Sequence, residues 1–115
     1  MTNSILIVDD NEDLRKVLAW LLQPRGYETL QAATGREAIE KAIVEQPSLI
    51  LLDLHLPDMN GVNAARAIKK DQRTTHIPIV GWREEALRAG MVAYMEKPLS
   101  VPVIEATIKQ FILAD

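Results

Sequence analysis

The sequence predicts an α/β fold, a doubly wound parallel sheet with helices on both faces, and three observations predict it. Strand-like and helix-like stretches alternate from one end of the 115 residues to the other. Two of the strand-like stretches are continuous apolar runs, "ILIV" at 5–8 and "LILL" at 49–52, whereas a half-exposed strand would alternate apolar with polar residues. Both runs stop abruptly at carboxylates, Asp9 with Asp10 and Asp53. Five strands alternating with five helices make a parallel sheet, because each crossover is right-handed and returns by way of a helix.

Taken in order, "ILIVDD" (5–10) is the first strand and its acidic end. In "EDLRKVLAWLLQPRGY", Leu14, Val17, Leu18, Leu21 and Leu22 recur at helical spacing; Asp13 reads as the cap, and Pro24 with Gly26 stops the helix. "ETLQAA" (28–33) is a short second strand. "TGRE" (34–37) is a capping box that opens a helix through Ala38, Ile39, Ala42 and Ile43, closed by Pro47. "LILLD" (49–53) is the most apolar strand and is expected in the middle of the sheet.

"LPDMNG" (56–61) has the composition of a tight loop, with Asp58 and Asn60 as turn formers. Val62, Ala65 and Ile68 then mark the inner face of a third helix. "IPIVGW" (77–82) is a fourth strand, "REEALRAG" (83–90) a helix of barely two turns, and "VAYMEKP" (92–98) a fifth strand. Ser100 caps a last helix whose apolar stripe is Val103, Ile104, Ile108, Phe111 and Ile112.

Composition narrows the function. A chain of this length fits one domain, 1–115, with one sizeable core. Hydrophobic residues at 48% and charged residues at 25% are the balance of an ordinary soluble protein. The formal charge of -3 with scattered Lys and Arg supplies no basic field for a phosphate backbone, so direct nucleic-acid binding is not expected. Cysteine is absent, which excludes disulfides, thiolate metal sites and cysteine nucleophiles. No apolar run reaches the roughly 18 residues of a membrane span, and no secretion signal opens the chain, so a cytoplasmic protein without membrane contact is expected.

In a doubly wound sheet the ligand sits beyond the carboxyl ends of the strands. That rule gathers Asp9 and Asp10 from the first strand, Asp53 from the third and Lys97 from the fifth. Alone, the Asp9–Asp10 pair reads equally well as strand-end acids capping the next helix. With Asp53 added, three carboxylates face one ammonium, and a divalent cation resolves the surplus negative charge. Oxygen ligands without His or Cys suit a hard ion such as Mg2+, which takes one or two carboxylates, a carbonyl and retained waters. Such a site favours phosphoryl transfer to a carboxylate.

The segments "ILIVDDN", "LILLDLHLPDMNG" and "AYMEKP", in that order and spacing, resemble the receiver domains of two-component response regulators over nearly the whole chain. The resemblance implies a flavodoxin-like (βα)5 fold with strand order 2-1-3-4-5. It implies Asp53 as the phosphate acceptor, Asp9 and Asp10 as Mg2+ ligands with Asp53, and the backbone carbonyl of His55 as a further ligand. Lys97 pairs with the phosphoryl oxygens or with Asp53, the Lys97–Pro98 bond is a candidate cis peptide, and Tyr94 matches the aromatic whose rotation accompanies activation. The implied partners are a histidine kinase or histidine phosphotransfer protein and a downstream target protein or output domain. The implied role is a phosphorylation-dependent switch, not an enzyme, that assists its own phosphorylation and dephosphorylation, either standing alone or as part of a longer protein.

One departure concerns that switch. Receivers usually carry a Thr or Ser just after the fourth strand, but "IPIVGWREEALRAG" has no hydroxyl between Ile79 and Ala93. Arg83 falls at its place, and the region looks about eight residues short beside the family's pattern. Either the chain lacks this segment or a loop carrying the hydroxyl is missing between Trp82 and Arg83; the likeness of "REEALRAG" to the tail of a longer helix favours the loop. Two other functions remain. A degenerate receiver would bind partners without phosphorylation. A phosphatase of the haloacid dehalogenase type also uses Asp, Lys and Mg2+, although it has a D-x-D nucleophile on its first strand and a larger frame.

Overall fold

The first strand, β1, runs Ser4–Val8, pairs on both sides and is buried on both faces of the sheet, which explains why its apolar residues do not alternate with polar ones. In the computed structural model, which describes residues 3–82, 91, 93–95 and 100–112, with only the main chain of 82 and 93–95 described, four more strands join it. These are β2 (Glu28–Ala32), β3 (Leu49–Leu52), β4 (Ile79–Trp82) and β5 (Ala93–Met95). The order is β2-β1-β3-β4-β5 with every pair parallel, and β3 is central.

Four α-helices are described: α1 (Glu12–Leu22), α2 (Gly35–Glu45), α3 (Gly61–Lys70) and α4 (Val101–Phe111). The helix expected over 83–90 lies outside the described residues. None of the described helices is long and apolar enough to cross a membrane. A short 3-10 turn, Gln23–Arg25, ends α1, and Gly26 with φ 91° turns the chain into β2.

Because side chains alternate along a strand, each apolar run feeds both sides of the sheet. Leu6, Val8, Ile50, Leu52 and Ile79 meet Ala38 and Ala42 of α2 and Ala65 and Ile68 of α3 on one face. Ile5, Ile7, Leu49, Leu51 and Val80 meet Leu18 and Leu22 of α1 and Ile104 and Ile108 of α4 on the other.

Several local readings change. Asn11, not Asp13, caps α1: its side-chain oxygen accepts the Leu14 N–H at 3.2 Å. An amide side chain one residue before the helix reaches the orphan N–H groups of the first turn, whereas Asp13 is already inside it. Val17 and Val103, read as inward, are 50% and 53% exposed. Each stands on the flank of a stripe already filled by Leu18 and Leu22 or by Ile104 and Ile108.

Candidate functional site

The strand register builds the site. Val8 pairs with Leu52 across β1 and β3, so the next residues, Asp9 and Asp53, leave the sheet side by side. Their main chains extend the ladder: Asp53 N–H donates to Val8 O at 2.9 Å, and Asp9 N–H to Ala32 O at 3.1 Å. Asp9 and Asp53 are buried and Asp10 is exposed, and one carboxylate oxygen from each of the three lies within 4.8 Å of the others. At that distance two unit charges repel by roughly 3 kcal/mol for an effective dielectric near 20. All ligand atoms are oxygens, the donor set of a hard divalent cation, so these residues suit a metal of the Mg2+ kind.

The surroundings hold the carboxylates in place. Asp9 Oδ1 accepts the Asn11 N–H at 2.9 Å, and its main-chain carbonyl accepts Arg15 Nη1–H at 2.6 Å. Arg15 also donates from Nε to Gln31 Oε1 at 3.2 Å, bridging α1 to β2. Asp53 Oδ1 accepts the His55 N–H at 3.1 Å. The His55 main chain is bridged to Asn60, whose side chain accepts the Val62 N–H at 2.8 Å and caps α3. At Gly61 a Cβ would stand 2.3 Å from the carbonyl oxygen of Asp53 and 2.5 Å from Cα of Leu54. Only glycine permits that approach, and the Gly61 N–H uses it to reach Leu54 O at 2.8 Å.

The start of α2 is tied to the same loop. Thr34 Oγ1 accepts the Glu37 N–H at 3.1 Å, which is half of the expected capping box. The Glu37 carboxylate lies 3.4 Å from Lys41. The Gly35 and Arg36 N–H groups donate instead to Asp58, at 2.8 Å to Oδ1 and 3.0 Å to Oδ2. These bonds, that from Arg36 first and that from Gly35 second, hold the Asp58 carboxyl below the ordinary carboxylate value. Asp58 is therefore a cap from a distant segment as well as a loop former.

Of the residues singled out in the sequence, Asp9, Asp10 and Asp53 come together, and His55 contributes the N–H that meets Asp53. Tyr94 lies on β5, its main chain paired with Gly81, and its side chain lies outside the described residues. Lys97, Pro98 and Arg83 lie outside them too. Arg15, Asn11, Asp58 and Gly61 were not read as site residues. The signal for Arg15 was slight, a cation one helical turn beyond the cap; Asp58 had none that distinguishes a long-range cap from a turn.

The family model for the response regulator receiver domain matches residues 5–109. The polar-differentiation response regulator DivK of Brucella ovis is 37% identical over 120 residues, an alignment covering 97% of this chain and 98% of that one. The chain belongs to the response regulator receiver domain family. Among solved structures, the receiver domain of a sensor histidine kinase from Pseudomonas aeruginosa PAO1, with a magnesium ion coordinated in its active site cleft, superposes with a TM-score of 0.91. It is 27% identical, and the match covers 99% of this chain and all of that one. The chemotaxis response regulator CheY4 of Vibrio cholerae superposes with a TM-score of 0.90 at 26% identity, covering 97% of this chain and 100% of that one.

The DivK alignment is also longer than this chain's share of it. Ninety-seven per cent of 115 residues is about 112, so about eight of its 120 positions hold no residue of this chain. Arg83 follows Trp82 directly in the full sequence, which overturns the reading of a missing loop: the shorter segment belongs to the protein itself.

Proposed function

We propose that the chain, acting as a single receiver domain over 1–115, is a phosphorylation-dependent switch of a two-component system with Asp53 as the phosphate acceptor. The observation that carries this is the convergence of Asp9, Asp10 and Asp53 within 4.8 Å at the carboxyl edge of the sheet. An oxygen of Asp53 attacks phosphorus as the bond to the donor's imidazole nitrogen breaks, leaving an acyl phosphate on Asp53 and a neutral histidine on the donor. Asp9, Asp10 and Asp53, with the His55 carbonyl, would hold Mg2+, which when bound supplies positive charge against the transferred group. Arg15 and Asn11 keep Asp9 in position. Lys97 supplies the remaining positive charge, and Tyr94 follows the change on β5.

The phosphoryl group adds about -1.5 to -2 charge, enough to shift a two-state surface that a downstream target protein or output domain reads. The phosphodonor is a histidine kinase or histidine phosphotransfer protein, in the cytoplasm. Membership of the receiver family sets aside the haloacid dehalogenase reading. The absence of a hydroxyl between Ile79 and Ala93 supports one rival, a receiver that binds partners without being phosphorylated.

Intact mass after incubation with a small phosphodonor, with and without Mg2+, decides between them. The switch gains one phosphoryl group in the presence of Mg2+, and Asp53→Asn gains none. No gain on the parent chain favours the phosphorylation-independent binding module.

A further inference from the structure

The segment from Asp53 to Gly61 is fastened at two places. At its base, Asp53 Oδ1 accepts the His55 N–H, and Gly61 N–H donates to Leu54 O. At its tip, Asp58 accepts both the Gly35 and Arg36 N–H groups from the first turn of α2, distant in the chain. Hydrogen bonds to an ionised carboxylate are about twice as strong as neutral ones. Met59 adds packing at the same spot: a Cβ on Gly35 would stand 2.4 Å from its Cγ and 2.6 Å from its Sδ, so the Met59 side chain lies directly on the Gly35 backbone. The loop that carries His55 therefore spans from the acidic cluster to α2 and is held at both ends.

We propose that Asp58 is a positioning residue for the metal and phosphoryl site, holding the His55 segment in place and linking occupancy of that site to the first turn of α2. The inference rests on the metal and phosphoryl reading given above. A ligand at the acidic cluster needs the His55 segment in the place where the Asp58 bonds already hold it, so a firm cap on α2 raises affinity for that ligand and, by linkage, the bound ligand firms the cap. A carboxylate acting only as a surface cap would alter stability and leave affinity at the cluster unchanged.

The test is a titration of the full chain, labelled with nitrogen-15, with MgCl2 while the main-chain amides are followed by NMR. In the parent chain the Gly35 and Arg36 amides are expected to move with those of Asp10 and His55 along one binding curve. In Asp58→Ala the Gly35 and Arg36 amides fall silent and Mg2+ binds about five- to ten-fold more weakly. Asp58→Asn, which keeps one acceptor oxygen, falls between; should the alanine variant fail to fold, this variant and the parent titration decide. Movement of Asp10 with Gly35 unmoved in the parent overturns the role of Asp58 alone, as does a folded Asp58→Ala with unchanged affinity. Amides of Asp10 and Asp53 that ignore Mg2+ altogether overturn the metal reading and this inference with it.

Discussion

On the side of the sheet covered by α2 and α3, the helices contribute Ala38, Ala42 and Ala65, and the strands supply most of the bulk through Leu6, Ile50, Leu52 and Ile79. On the other side, α1 and α4 bring Leu18, Leu22, Ile104 and Ile108 against strand residues of similar size. Ala38, Ala42 and Ala65 are fully buried there, and that face also holds the two close approaches at Gly35 and Gly61. The α1 and α4 face is filled by large side chains and leaves Val17, Trp20 and Val103 exposed on its outer surface. The alanines of α2 and α3 are therefore the positions most sensitive to added volume, and the large side chains beneath α1 and α4 are sensitive to removed volume.

The comparison is tested most severely by Leu51→Ala, which opens a cavity beneath α1 and α4 and is expected to cost about 2–5 kcal/mol in denaturant unfolding. The converse change, Ala42→Leu at a fully buried position of α2, is expected to cost about 1–3 kcal/mol by overpacking. Equal tolerance of the two would erase the distinction. Gly61→Ala probes that closeness where it touches the site: because the new Cβ meets the backbone of Asp53 and Leu54, phosphoryl uptake at Asp53 is expected to fall more than about ten-fold, measured as the rate of mass gain. Wild-type uptake would show that the backbone gives way freely.

Two carboxylates on the α2 and α3 side, exposed Asp58 and half-buried Asp71, predict a smaller effect of acid. Arg73 holds the Asp71 carboxyl down to about 2, through its side-chain bond first, and the Arg36 and Gly35 N–H groups lower that of Asp58. A carboxylate lowered in the folded state stabilises it above the unfolded value of 3.8. The contribution is lost as pH falls through the folded value, over 3.8 to about 2 for Asp71. Melting temperatures recorded across that window should fall less steeply in Asp58→Asn and Asp71→Asn than in the parent. Solvent screening keeps both effects small. The smallest effect is expected for Trp20→Ser: with Trp20 73% exposed, stability should change by about 0.5 kcal/mol or less.

Much of this was readable from residue order. The apolar runs at 5–8 and 49–52 place β1 and β3 inside the sheet, and their acidic ends locate the cluster, because a buried parallel strand imprints an unbroken hydrophobic signal. The helical stripes located α1 and α4 but overreached at Val17 and Val103, since periodicity gives the direction of a face and neighbouring elements decide its width. Thr34 was recognised as a cap, whereas the partner of the Gly35 and Arg36 N–H groups was not, because Asp58 is far away in the chain.

By itself, then, the order of residues determined which chemical groups stand at the strand ends: short-range patterns of apolar and acidic residues carry that information along the chain. Tertiary structure alone decided that Arg15 reaches the carbonyl of Asp9, that Asp58 caps α2 and that Gly61 lies against Asp53. Those contacts depend on strand register and on how closely a helix approaches the sheet, and no local periodicity encodes either.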